Sequence, residues 1–162
     1  MAVIKLTQEI TVGVSPKRMI KAMVTESSTF LPKIMSGAIK SIAVLNGNGG
    51  PGTIIQTNFS DVAGTPVPFA KHRIEALDAE KGTTKFTMIE GAWLGDKIES
   101  VVYDVKFEEV GNGGCTIKIA SDYNTKGDAA LKDDDIKEIV DRTKGFYIAA
   151  EEYLIANPNV CA

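Results

Sequence analysis

Gly47-Asn48-Gly49-Gly50-Pro51-Gly52-Thr53-Ile54-Ile55-Gln56-Thr57-Asn58-Phe59 is the stretch on which the choice of fold turns. Gly47 and Gly52 stand at the G-x-x-x-x-G spacing of a nucleotide-binding loop. That loop continues with Lys and Ser/Thr and opens a helix whose N-terminus faces the phosphates. Here Thr53 follows Gly52 directly, without a lysine. The residues after it are β-branched and end in an aromatic, which is the composition of a strand. The stretch therefore predicts a glycine-rich turn between two strands, with φ > 0 at several glycines. A loop over a ligand site, formed by Gly47, Asn48, Gly49, Gly50, Pro51 and Gly52, is the functional alternative.

Outward from this turn, strand signals recur over Ile39 to Leu45, Thr53 to Phe59, Pro68 to Leu77, Thr83 to Gly91, Lys97 to Glu108 and Cys115 to Asn124. Gly, Pro, Asn and Asp clusters bound each one, so consecutive antiparallel hairpins are the simplest arrangement. An earlier strand is marked by Ile4, Leu6, Ile10 and Val12 alternating with Lys5, Thr7, Glu9 and Thr11, and Gln8 is the one polar residue on the apolar face. Ser15-Pro16 then supplies an N-cap and a first-turn proline, and Met19, Ile20, Met23 and Val24 recur at helical spacing. Thr25 to Thr29 interrupts that spacing, and Phe30-Leu31 with Ile34-Met35 predicts a second short helix around Pro32, the two forming a V. Ile136, Ile139, Val140, Thr143, Phe146, Tyr147, Ala150 and Leu154 hold the i, i+3, i+4, i+7 rhythm for about six turns. Asp133-Asp134-Asp135 suits the positive end of that helix, and Asn157-Pro158 stops it. The predicted class is α+β: a curved seven-stranded antiparallel sheet gripping one long C-terminal helix, with residues 1–162 as a single domain. Such a sheet need not fill its concave side.

The totals set bounds. A chain of 162 residues buries roughly 70% of its unfolded surface, enough for a core and a cavity. Eighteen basic against 21 acidic residues leave a net charge of -3, with no overall field to attract polyanions, so a nucleic-acid partner is disfavoured. Apolar runs reach only four residues or so, and Met1-Ala2-Val3-Ile4-Lys5 lacks the shape of a signal peptide. Cys115 and Cys161 form neither a metal spacing nor a disulfide framework. These features predict a cytoplasmic chain with no membrane partner, no metal and no cofactor; a protein partner is left open.

The loop Gly47 to Thr53, the segment Thr125-Lys126-Gly127-Asp128 and the ending Glu152-Tyr153-Leu154-Ile155-Ala156-Asn157 together resemble the plant class-ten pathogenesis-related proteins, the START-like family of the major birch pollen allergen. Leu31-Pro32-Lys33, Met88-Ile89-Glu90-Gly91 and Gly95-Asp96 fall in the expected order, so the likeness spans the whole chain. It implies a helix-grip fold, a large apolar cavity, a monomeric cytosolic protein often induced by stress, and binding of flavonoids, cytokinins or similar small molecules.

Strand alternation selects the side chains that face the concave side. Val101, Tyr103, Val105 and Phe107 share one face, as do Ile117, Ile119, Ser121 and Tyr123, and Thr84, Phe86 and Met88. That mixture of large apolar groups with a few hydroxyls suits a pocket or a filled core; the resemblance favours the pocket. The candidate ligand contacts are Met23, Ile39, Phe59, Phe69, His72, Thr84, Phe86, Met88, Tyr103, Val105, Ile117, Ile119, Tyr123, Ile139, Arg142 and Phe146. His72, the single histidine, is placed by the resemblance on the cavity wall, able to bond a ligand carbonyl or hydroxyl and to titrate near neutral pH. Arg142 borders the apolar stripe of the last helix. It is read either as a surface cation beside Glu138 or as an inward partner for a ligand carboxylate or phenolate.

Three other activities follow from relatives. A ribonuclease reading, ascribed to relatives, needs a lysine after the glycine loop, where this chain has Ile54-Ile55-Gln56; its acidic and phenolic counterparts are Glu99, Glu151 and Tyr153. Without that cation the phosphate charge lacks an electrophile. The norcoclaurine synthases use an inward lysine and an aspartate, which align with Thr84 and Tyr103, so the acid/base pair is missing. The abscisic acid receptors, which regulate phosphatases, carry a gate and a latch that neither Ser60 to Pro66 nor Gly91 to Gly95 matches. Trp93 remains a candidate partner contact. No catalytic residue is assigned.

Overall fold

The computed structural model describes residues 2–61, 67–91 and 94–162. The readings of Trp93 and of much of the Ser60 to Pro66 loop fall outside the described residues.

The chain runs β1 (Val3–Val12), α1 (Pro16–Ile20), a π-turn (Lys21–Thr25), α2 (Ser27–Ile34), β2 (Ile39–Asn46), β3 (Ile54–Phe59), β4 (Phe69–Asp78), β5 (Thr83–Gly91), β6 (Ile98–Glu109), β7 (Cys115–Thr125) and α3 (Asp133–Ala156). One antiparallel sheet takes the order β1-β7-β6-β5-β4-β3-β2, leaving β1 and β2 as its edges. The sheet curves around α3, which touches β1, α1 and α2. The glycine turn does join two strands, β2 and β3, and the long helix begins at the Asp triplet and ends before Asn157-Pro158.

The expected break over Thr25 to Thr29 shrinks to one non-helical residue, Glu26. Thr25, Glu26, Ser28 and Thr29 are exposed: their polarity marks the solvent face of a helical segment instead of its end. A π-turn absorbs the irregularity between the short helices.

Side-chain hydrogen bonds fasten α3 at three heights. At its start the Asp135 carboxylate accepts from the Lys132 backbone N–H (2.9 Å) and from Lys97 Nζ (3.0 Å), which together hold its pKa below the usual carboxylate value. In the middle Gln8, the polar exception on the inner face of β1, donates to the Val140 carbonyl at 3.0 Å. At the end the guanidinium of Arg18 on α1 donates to the carbonyls of Leu154, Asn157 and Val160 at 2.8–3.1 Å, satisfying acceptors that a helix C-terminus leaves open.

Two buried clusters fill the grip. One gathers Ile10, Val12, Met19, Val105, Phe107, Ile117, Ile119, Tyr147, Ala150 and Leu154, beneath the C-terminal half of α3. The other gathers Ala70, Met88, Ile98, Val101, Tyr123 and Ile139, towards its N-terminal half. Tyr103 packs against both.

Candidate functional site

Between the clusters lies a set of inward side chains that remain only half-buried. His72, Phe86 and Tyr103 come together from three adjacent strands. The His72 ring meets Phe86 edge-on at 5.6 Å, and Phe86 stacks on Tyr103 at 4.9 Å and 24°. Tyr103 in turn meets Tyr123 at 6.4 Å and 77°. Register explains the convergence: His72 is opposite Met88, Phe86 opposite Tyr103, and Val101 opposite Tyr123, so one face of four strands is continuous. Phe59, Met23 and Phe146 border the same interior and are also half-buried.

Not every candidate stands in this set. Ile39, Thr84, Met88, Val105, Ile117, Ile119, Tyr123 and Ile139 are buried, and Ile117 has no accessible surface, so it acts as packing beneath α3. Thr84 commits its hydroxyl proton to the Ala76 carbonyl at 3.2 Å. Phe69 lies on the other face. It shares the parity of Lys71, whose Nζ sits 5.8 Å from its ring and 3.4 Å from Glu90, whereas Ala70, His72 and Ile74 point inward. An irregularity between Lys71 and His72 lets Lys71 keep Glu90 on the outer side while His72 meets Met88.

The glycine loop is self-contained. Gly47, Gly49 and Gly52 take φ of +96°, +99° and +89°, and a Cβ on Gly47 would lie 2.5 Å from Thr53 Oγ1. Four of its N–H groups are engaged within the protein. Gly49 donates to Thr53 Oγ1, Gly50 to Asn48 Oδ1, Gly52 to the Ile74 carbonyl and Thr53 to the Gly50 carbonyl. A phosphate cradle needs such groups pointing outward together.

Electrostatically, the interior holds neutral groups. Burial lowers the His72 imidazole to about 4, so it stays uncharged at neutral pH, contrary to the titration expected from the sequence. Burial, then the neighbouring Tyr123, raises the Tyr103 phenol well above its usual value. Tyr123 is raised by burial and eased back by the hydrogen bond from Tyr103 and by Arg142. Both phenols are therefore protonated donors. Burial lowers the Arg142 pKa against the pull of Tyr123, Tyr103 and Glu138. As the surface reading expects, Arg142 Nη1 lies 3.9 Å from the exposed Glu138, and the same guanidinium also feels the two interior phenols.

A pocket of about 540 Å3 opens above the second cluster, with Leu94, Ile98, Leu131 and Ile139 as its apolar lining and Lys97, Asp135, Glu138 and Arg142 among its charged groups. It unites the β5–β6 loop, the β7–α3 loop and α3, segments with no common local pattern, so sequence reading missed all of these except Ile139 and Arg142. Ile55 and Thr57 were missed as well. They pair with the inward His72 and Ala70, but adjacent Ile54 and Ile55 left the parity of β3 undecided. Hollows of about 550 Å3 on the outer sheet face and about 790 Å3 beside α1 have charged side chains among their lining, Lys106 in both, and lack converging aromatic rings.

The residues of the ribonuclease reading do not converge. Glu151 accepts from the Gly13 N–H at 2.7 Å, beside the Cys115 end of β7, whereas Glu99 lies at the opposite end of β6. Ten residues of strand separate those ends by roughly 30 Å. Among the described residues no group of three or more His, Cys, Asp or Glu is placed to hold a metal ion, and no helix is long and apolar enough to cross a membrane.

Comparison with known proteins agrees with this architecture. The chain is 42% identical over 162 residues to pathogenesis-related protein STH-2 of Solanum tuberosum, covering all of both chains. The crystal structure of Ara h 8.0201 superposes with a TM-score of 0.83 at 30% identity, covering 96% of this chain and 100% of that one. Norcoclaurine synthase from Thalictrum flavum, solved in complex with dopamine and hydroxybenzaldehyde, shares the fold at a TM-score of 0.70 and 20% identity, over 96% of this chain and 88% of that one. The family described as "Pathogenesis-related protein Bet v 1 family" matches residues 1–157, and with these relatives it identifies the chain as a member of that family.

Proposed function

We propose that this protein is a non-enzymatic carrier that binds a small hydrophobic metabolite or hormone, flavonoid- or cytokinin-like, between its sheet and α3, in the cytoplasm of plant cells under stress or attack. The observation that carries this reading is the band of half-buried inward groups, His72, Phe86 and Tyr103 with Phe59 and Phe146, lying between two fully packed clusters. Side chains of that size in a finished core would be covered completely; partial cover at the centre of the grip fits a wall that awaits a guest. Affinity comes chiefly from apolar burial, about 25 cal/mol per Å² before the costs of association. Neutral His72 and the two phenols orient the guest. An apolar pocket discriminates weakly among similar molecules, so broad micromolar binding is expected.

Native mass spectrometry of protein taken from its source tissue tests the proposal. The expected result is a small apolar guest, recovered chemically unchanged after extraction. A guest converted into product on incubation would replace the carrier with an enzyme. A bare protein that binds neither flavonoids nor cytokinins saturably would end the reading.

A further inference from the structure

We propose that the guests this interior prefers carry one carboxylate on an aromatic frame, and that Arg142, with the phenol of Tyr123, holds that carboxylate. The inference rests on the binding role proposed above and adds to it a preference, among hydrophobic metabolites and hormones, for those that carry a carboxylate over neutral ones such as flavonoids or cytokinins. Three features carry it. Arg142 stands at the junction of the mouth pocket and the interior, lining the first and lying within electrostatic reach of both phenols. Its side chain is 27% exposed, against 72% for Glu138, so the cation lies deeper than its carboxylate neighbour. The flat wall beyond it, Phe86 stacked on Tyr103, suits an aromatic ring whose polar end points back to α3.

The other charges of the mouth favour the inner position. Lys97 is paired with Asp135 at 3.0 Å, and Asp96 and Glu138 repel an anion at the outer lip. Past that lip, an oxyanion meets a guanidinium with five N–H donors, which can serve it alongside the contacts Arg142 already makes, and the Tyr123 hydroxyl proton, which the hydrogen bond accepted from Tyr103 leaves available. Neutral His72 offers no rival cation further in.

Calorimetry with 1-naphthaleneacetic acid and 1-naphthaleneacetamide, which share shape and differ in charge, tests this at pH 7 and 0.15 M salt. The intact protein is expected to bind the acid about tenfold more tightly than the amide. Arg142→Gln should erase that preference while leaving the amide within about twofold, and Arg142→Lys should retain part of it. Equal binding of acid and amide by the intact protein, or an unchanged ratio in Arg142→Gln, overturns the assignment while the carrier reading stands. If neither probe binds, the assignment falls, and the carrier reading falls with it only if flavonoids and cytokinins fail to bind as well.

Discussion

At His72 the imidazole is pressed against Phe86 and faces Tyr103, and burial carries its pKa from 6.5 to about 4. The folded value lies below the unfolded one, so as pH falls the unfolded chain takes up the proton first. The contribution of neutral His72 is intact above pH 6.5 and is lost between 6.5 and about 4, a change of about 3 kcal/mol. His72→Gln should therefore show a flatter profile of melting temperature against pH over that interval than the parent. Parallel profiles would show that other groups govern the acid limb. The sequence pointed to this residue as the lone histidine on a strand, yet its protonation state could not be read there, because desolvation depends on Phe86 and Tyr103, which arrive from other strands. Phe69 teaches the same lesson in reverse: three positions from His72, it faces outward beside Lys71.

Among the elements, α3 is the best defined by its own residues and the most dependent on others for its ends. Its apolar stripe, its acidic first turn and its Asn-Pro stop were all legible. Arg18 was not, since it lies 136 residues from the nearest carbonyl it serves. Arg18→Met preserves length and removes the donors to Leu154, Asn157 and Val160; a loss of about 2–3 kcal/mol is expected in urea unfolding, because charged hydrogen bonds are withdrawn from the helix end. A change below about 0.5 kcal/mol, within the range of ordinary surface substitutions, would reduce the clamp to an incidental contact. Gly145, in the exposed middle of α3, presents the opposite case. A Cβ there meets nothing within 4 Å, so Gly145→Ala should stabilise by about 0.5–1 kcal/mol. If unfolding instead shows a loss, the helix needs that glycine's freedom, next to the turn where Gln8 and Thr143 draw on the Val140 and Ile139 carbonyls.

For the molecule as a whole, two packed clusters with half-covered aromatics between them make stability depend on what occupies the middle. A guest that binds only the folded state adds about 2.7 kcal/mol at 100 times its dissociation constant, which corresponds to a rise of about 5–10 °C in melting temperature for a chain of this size. Thermal melts against increasing flavonoid should rise steadily with concentration, and a midpoint that ignores the ligand at saturating excess would contradict binding to the native interior. The kind of elements and their order were written in local periodicities, because alternation and helical spacing depend on neighbours in the chain. Gln8, the odd polar residue of its strand, acquired a meaning only when Val140 of α3 came within 3.0 Å. The same holds for the place of Arg142 in the mouth, which is built with Leu94, Ile98 and Leu131, and for the partial cover of His72 and Tyr103. Each depends on strand register, on the irregularities between β4 and β5 and on how α3 seats in the curve, and these are contacts between residues far apart in sequence that no local pattern encodes.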